Sequence, residues 1–407
     1  MKKLRYKARL RIKRHNEKQR HNKIKKKKRG YKNKESLKRL ELFNICKEMN
    51  NWIEHEKKQG LKISPCIKPK QKKCNMIVVH LPEELDLERN YSQTIQAFTA
   101  IRKLVNLLEE FRGYRLPQFV YKIGNVNFDS LKKISTSAAL ILTSEISRWE
   151  SSIRKRLVPQ VDLWDEEIYH SFSQLGFFEL FDNKPKRVST NGLDDIETSY
   201  VKYFKGSCQN KDYATNSKKQ LKEKIRELTG NVIPAWTFLH SGLSEAVTNV
   251  THHAYPESDS VTWHDKSWYL TGSFNIKSRV MTISFFDHGI GIPSSLPNST
   301  VWENLLNYIA YINVPAASRR LDSVLLKAAV NMPRTRTGKD DRGKGLQDLL
   351  EFIKYRKEGS LSIYSERGSY VGKFERGKLH SKSKSYKRPL CGTLITWSVT
   401  LEEISPQ

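Results

Sequence analysis

The stretch 239–256, LHSGLSEAVTNVTHHAYP, constrains this chain more than any other. At 100° per residue, Leu239, Leu243, Ala246, Val247, Val250 and Ala254 fall on one face, while Glu245, Asn249, His252 and His253 fall on roughly the opposite one. The spacing predicts an amphipathic helix with its apolar side on a core. The other side offers a carboxylate and an amide one turn apart, pointing the same way. A carboxylate there can hold a water, and an amide oxygen suits a hard cation such as Mg²⁺, which takes one or two ligands from protein and the rest from water and phosphate. A lone Glu-x-x-x-Asn pair describes a solvated helix face equally well, so its meaning depends on what accompanies it.

Two later stretches answer it. Residues 279–286, RVMTISFF, are β-branched and aromatic with no Gly or Pro, which predicts a buried strand. The strand runs into 287–293, DHGIGIP. Asp287 at a strand end is a natural acceptor for an exocyclic amine. Gly289 and Gly291 permit backbone conformations closed to other residues and let a ligand lie close to the chain. Residues 338–346, GKDDRGKGL, lead into helical spacing at Leu346, Leu349, Leu350 and Ile353. Glycines that open a helix aim free N–H groups and a positive dipole end at an anion. Arg342 and Lys344 add charge for phosphates. Taken singly, the first of these is also a plain turn after a strand, and the second a Gly-rich loop without a ligand.

In this order and spacing, the three stretches resemble the N, G1 and G2 boxes of the GHKL ATPase/kinase superfamily, which includes DNA gyrase B and the histidine kinases. The wording SEAVTNVTHHAYP is most similar to the anti-sigma-factor serine kinases. Residues 391–401, CGTLITWSVTL, resemble the late Gly-Thr strand of that fold. The resemblance spans about residues 219–402 and implies a Bergerat α/β sandwich that binds ATP and Mg²⁺. By that resemblance Glu245 would orient or deprotonate the attacking water or hydroxyl, and Asn249 would bind the metal. Asp287 would accept from the adenine amino group, with Gly289 and Gly291 shaping the pocket. Arg342, Gly343, Lys344, Gly345 and Leu346 would lie at the phosphates, and Thr393 near the base. The family often carries a basic residue where this chain has His252. Residues 294–342 would form the lid, a basic one with Arg319, Arg320, Lys327, Arg334, Arg336 and Lys339.

Charge is uneven along the chain. Residues 1–73 hold 28 Lys/Arg and 6 acidic residues, a net of +22 out of the chain's +30, so a basic head precedes a body of ordinary charge. Residues 1–34 are expected to form a partly disordered basic arm. Two readings stand side by side for it: contact with nucleic acid through phosphate neutralisation, or a solubilising or protein-docking tail. Residues 36–59 recover helical periodicity. The cysteines, Cys46, Cys66, Cys74, Cys208 and Cys391, show no metal spacing and no disulfide frame. No apolar run reaches eighteen residues and no signal peptide is evident, so the expected setting is the cytoplasm, without a membrane partner.

The middle of the chain alternates. A strand is predicted at 76–81, a helix at 91–111, strands at 119–123 and 158–161, and helices from 135 to 149 and 166 to 181. This argues for an α/β layer. By topology the region 74–182 resembles a STAS domain, the fold of the anti-anti-sigma proteins. In that family a Ser or Thr at the start of one helix is phosphorylated, and Ser135, Thr136 and Ser137 occupy that place. Ala138 stands where the family has Gly, and a helix N-cap explains Ser135 or Thr136 as well.

The expected class is therefore α/β (α+β): a basic arm and helix at 1–73, a STAS-like domain at 74–182, a linker at 183–218 and a GHKL domain at 219–407. Three functions fit: an ATPase switch acting on a regulatory protein partner, a protein serine/threonine kinase of the anti-sigma type, or an ATP-binding scaffold on nucleic acid. A homodimer is compatible with all three. No His-Glu-x-x-x-Pro acceptor helix precedes the boxes, which argues against a sensor histidine kinase.

Overall fold

A computed structural model describes residues 39–66, 75–185, 187, 196–208, 210–230, 233–256, 266–332 and 345–402. The basic arm at 1–34, Cys74 and the Asp340–Lys344 part of the Gly-rich loop lie outside the described residues.

The N-terminal part is a small α/β layer. Helix α1 (residues 39–58) leads to β1 (Ile63–Pro65), β2 (Met76–His80) and β3 (Glu84–Leu85), followed by the long helix α2 (Tyr91–Glu110). Strands β4 (Lys122–Asn127) and β5 (Lys133–Ile134) follow, then α3 (Thr136–Ser147), α4 (Ser151–Arg156) and α5 (Glu166–Leu175). β2 and β4 are parallel and β1 is antiparallel to β2. A parallel pair needs a long crossover, and α2 supplies it. Its Ile95, Phe98, Ile101 and Leu104 recur at helical spacing and are buried.

Local chemistry places the ends of these elements. The Ser135 hydroxyl accepts the Ala138 N–H and caps α3. Gly176, at φ +84°, ends α5 and turns the chain into a short 3₁₀ segment, Phe177–Leu180, so the helix expected through 181 stops six residues early. Residues 158–161 form no strand. Pro159 has no N–H to give a ladder there.

The second part is built on one sheet. Strands β6 (Thr198–Tyr200) and β7 (Phe204–Ser207) come from the stretch expected as a linker. After them come α6 (Lys211–Thr229), α7 (Trp236–Asn249), β8 (Ser267–Asn275), β9 (Val280–Asp287), α8 (Ile292–Ser295), α9 (Trp302–Tyr311), α10 (Asp322–Asn331) and α11 (Gly345–Arg356). The chain then closes with β10 (Ser360–Ser365), β11 (Gly368–Glu375), β12 (Lys378–Ser385) and β13 (Thr393–Thr400). The strands pair antiparallel in the order β12-β11-β10-β13-β9-β8, with both β6 and β7 on β8. β9 is buried along nearly its whole length, as a strand covered on both faces must be.

One face carries α7 and α11, which pack against each other. Gly242 on α7 lets Trp397 of β13 approach, and the Trp397 indole N–H donates to the Leu349 carbonyl of α11 at 2.8 Å. Helix pair and sheet are thus pinned by one side chain. The opposite face carries α3, whose side chains are buried from Ala138 through Ile146. Tyr269, Phe286, Tyr364 and Leu394 of the sheet belong to the same apolar cluster as the N-terminal layer. The α8–α10 segment has a small core of its own around Leu296, Leu305, Ile309 and Leu325. Among the described residues, no helix is long and apolar enough to cross a membrane.

Candidate functional site

Helix α7 follows its amphipathic pattern: Leu239, Leu243 and Ala246 are buried against the sheet. After Asn249 the helix widens into a π-turn, Val250–Ala254. Such turns recur at functional sites because they shift the side chains that follow out of α register. Tyr255 closes the turn, donating its hydroxyl to the Ser267 carbonyl at 2.7 Å and accepting the His288 N–H at 3.2 Å.

A cavity of about 530 Å³ opens between α7, the ends of β9 and β13, the start of α11 and the α8–α10 segment. This is the size range of small-molecule sites. Glu245 and Asn249 line it from α7, Asp287 from β9, Gly291 from the following turn, Leu346 from α11 and Thr393 from β13. Six of the predicted positions, from four separate segments, therefore share one cavity. Its apolar wall comes from Phe285, Ile292, Leu296, Leu305, Ala329, Met332 and Ile395. His252 and His253 stand at the same wall.

Asp287 is buried, 3% exposed, and its Oδ1 accepts the Gly289 N–H at 2.8 Å. Burial pushes its carboxyl up to about 7, against the pull of that N–H. Glu245 is raised as well, first by burial and next by the Asp348 charge. Asn249 works the other way on Glu245, its side-chain amide being placed to donate to the carboxylate.

The glycines have distinct tasks. A Cβ at Gly289 would meet Ala254 Cβ at 2.4 Å and its carbonyl oxygen at 2.5 Å, so this glycine serves packing of the turn against the π-turn and does not line the cavity. Gly291 lines the cavity at φ +83°. Gly345 opens α11, but Arg342, Gly343 and Lys344 lie outside the described residues. Among the expected lid cations, Arg319, Arg320 and Lys327 do not line the cavity, and Arg334, Arg336 and Lys339 lie outside the described residues. The described residues of 294–342 that line the cavity are uncharged, with Ser295, Asn298, Ser299 and Thr300 beside Leu296, Val301, Leu305, Ala329 and Met332.

Ser365, which the sequence reading missed, ties the site together. Its Oγ accepts the Ile292 N–H at 2.8 Å and lies 3.0 Å from Thr393 Oγ1 and 3.2 Å from the Gly392 carbonyl. It ends β10 directly opposite Thr393, a register invisible before the strands are paired. Ser135, Thr136 and Ser137 sit elsewhere: Thr136 Oγ1 is 2.6 Å from Ser273 Oγ, and Ser137 Oγ is 3.0 Å from Thr396 Oγ1. Ser284 and Thr396 alternate with the cavity-lining Phe285, Asp287 and Ile395, so these hydroxyls occupy the far face of the sheet.

Among the described residues, no group of three His, Cys, Asp or Glu side chains gathers as a metal site. Asn249 fits Mg²⁺ in the only way open to it, as one amide oxygen beside water and phosphate. No protein-family model and no curated protein sequence matches this chain, so the cavity's own geometry carries the functional argument.

Proposed function

We propose that the cavity binds ATP with Mg²⁺ and that the chain is a GHKL-type ATPase serving as a nucleotide-dependent switch. One observation supports the reading: Glu245, Asn249, Asp287, Gly291, Leu346 and Thr393, the positions to which the sequence resemblance assigns roles, line a single cavity. The Asp287 carboxylate accepts from the exocyclic amine of adenine, and the apolar wall takes the faces of the base. Gly291 admits the nucleotide close to the backbone. Asn249 would hold Mg²⁺, which supplies charge neutralisation of the phosphates when bound. Glu245 orients the attacking water and takes its proton. Its raised pKa, set by burial and by Asp348, suits a base working near neutral pH. The α/β layer on the far face of the sheet is the natural reader of the nucleotide state, and it is the part that resembles a STAS domain. Contact of residues 1–34 with nucleic acid and partnership with a regulatory protein belong to the same proposal.

The test is calorimetry of the full chain with ATP and Mg²⁺, followed by incubation with γ-labelled ATP. Heat on binding and release of free labelled phosphate support the switch. No heat with adenine nucleotides overturns it. Label retained on the protein instead would favour the serine/threonine kinase reading.

A further inference from the structure

The turn that carries Asp287 has a second face. Asp287 points into the cavity, and the next residue, His288, points away from it into the N-terminal layer. His288 is 6% exposed. Its Nε2 lies 3.0 Å from Ser144 Oγ on α3. That hydroxyl already donates to the Ile141 carbonyl at 2.7 Å, so it accepts from His288, and the ring is the neutral Nε2–H tautomer. Tyr269 and Phe286 pack edge-on against the same ring.

Beside Ser144 stands Glu145, 4% exposed, with Arg102 of α2 donating to its Oε2 from both Nε and Nη2 at 2.7 Å. The Arg102 guanidinium also lies against the Cys391 thiol. Cys391 opens the turn into β13 at φ +58°, and Gly392 follows so tightly that a Cβ there would sit 2.0 Å from the Asp287 carbonyl oxygen. Segment 287–289 thus rests on Ser144, with His288 Nδ1 4.0 Å from Glu145 Oε2, and segment 391–393 rests on Arg102, the other half of that buried ion pair. A buried pair costs desolvation, and hydrophobic residues of the same volume often serve stability as well.

We propose that Arg102, Glu145 and Ser144 are positioning residues for adenine recognition. Through His288 and Cys391 they hold the Asp287 and Thr393 turns in register, and they couple the arrangement of α2 and α3 to affinity for the base. The inference rests on the nucleotide reading of the cavity, and its test separates the two.

The full chain is titrated with Mg²⁺–ATP and, separately, with inorganic tripolyphosphate. Ser144→Ala removes the His288 contact without touching the ion pair, and Glu145→Gln removes the charge with little change of shape. Each variant is expected to lose about tenfold or more in ATP affinity, in keeping with loss of a hydrogen bond in a buried network, while tripolyphosphate binding stays as in the parent. Equal losses for both ligands, or an unchanged ATP affinity with unchanged amide exchange, overturn the proposal. Should Glu145→Gln fail to fold, Ser144→Ala and the apolar double variant Arg102→Met with Glu145→Leu decide the matter by the same ratio. Amide hydrogen exchange without nucleotide provides the second readout: faster exchange at 287–289 and 391–393 in the variants shows the clamp directly. Faster exchange there in the variants, with a parent protein that binds no ATP, would keep the mechanical coupling and defeat the nucleotide reading and the adenine role together.

Discussion

Asp287 and Thr393 stand directly opposite one another at the ends of β9 and β13, and both line the cavity. Pairing at the strand ends holds the two Cα atoms about 5 Å apart, so that a carboxylate and a hydroxyl project side by side. Such a pair can grip one edge of a flat heterocycle. The carboxylate is the acceptor that a base amine needs, and Asp287→Asn turns one of its two oxygens into a donor. A lost hydrogen bond to a charged acceptor costs roughly 1.5–3 kcal/mol, a fall of about 10- to 100-fold in affinity. Calorimetry is expected to show Asp287→Asn binding ATP about 10- to 100-fold more weakly than the parent. Parent-like binding would remove the adenine assignment.

The burial of Asp287 also has a pH signature. Its carboxyl is pushed up to about 7 in the folded chain, from an ordinary value near 4. The folded state therefore holds a proton that the unfolded chain releases. The resulting stabilisation is complete below about pH 4 and is lost as pH rises through 7, on the order of 4 kcal/mol in all. Urea titrations of the nucleotide-free protein should show a drop from pH 5 to pH 8 that Asp287→Asn largely removes. Adenosine, which carries no phosphate to titrate, needs the ionised carboxylate as acceptor. Its affinity should rise between pH 6 and pH 8 in the parent and stay level in the variant.

Much of this site was legible before any strand was paired, because its residues mark local physics. Leu239, Leu243 and Ala246 repeat at helical spacing, and that alone turns Glu245 and Asn249 outward together. Phe285 and Phe286 announce a buried strand, and Asp287 with Gly289 announces its end. What stayed hidden depends on tertiary pairing. Ser365 gains its role only from standing across from Thr393. Arg102 and Glu145 are 43 positions apart and meet only when α2 and α3 pack. β6 and β7 are three and four residues long in a polar stretch, too short to show alternation. Residues 119–123 misled by apolar composition: β4 starts at Lys122, and the Phe119 carbonyl is taken by the Asn50 and Asn75 side chains.

Gly392 tests how tightly the two turns are locked. Its φ of +123° is open to glycine, and a Cβ would lie 2.0 Å from the Asp287 carbonyl oxygen, a backbone atom that cannot swing aside. Gly392→Ala is expected to cost at least about 2 kcal/mol, through overpacking and backbone strain together. Gly377, at φ +73°, has nothing within 4 Å of its Cβ position. Gly377→Ala should carry only the backbone strain of a tight turn, roughly 1 kcal/mol. Denaturant unfolding of the two variants compares crowding with strain. Equal losses would mean that the 391–393 turn yields easily.

Glu245 should separate binding from turnover. It lines the cavity, yet burial and Asp348 both disfavour its charge, so the fold holds it at some expense. Glu245→Ala relieves that repulsion and is expected to leave ATP affinity near the parent's and stability at pH 8 no lower. Phosphate release should fall by about 10²–10⁴-fold, the usual contribution of a positioned general base. In the parent, kcat should climb with pH through a value above the ordinary Glu range, since the base works ionised. A variant that still turns over at the parent rate would move the catalytic role to another group.

The position of the Ser135–Ser137 hydroxyls bears on whether a phosphate held in the cavity could reach them within one chain. A kinase that labelled this helix start within its own chain would need the γ-phosphate and the acceptor on the same side of the sheet. Here Ser137 contacts Ser284 and Thr396 on one face, while Phe285, Asp287 and Ile395 look into the cavity from the other. Thr136 is 7% exposed and bonded to Ser273, and Ser135 is engaged as the cap of α3. Transfer in cis would require α3 to leave the sheet, exposing apolar residues such as Leu140, Ile141 and Leu142 that are fully buried, at about 1.5–3 kcal/mol each. Incubation with γ-labelled ATP at low protein concentration should therefore yield free phosphate with no label in the peptide spanning 135–137. Label there that grows with protein concentration would indicate transfer between copies. Label independent of concentration would mean that α3 detaches from the sheet during turnover, and the packing described for it would hold only in part of the cycle.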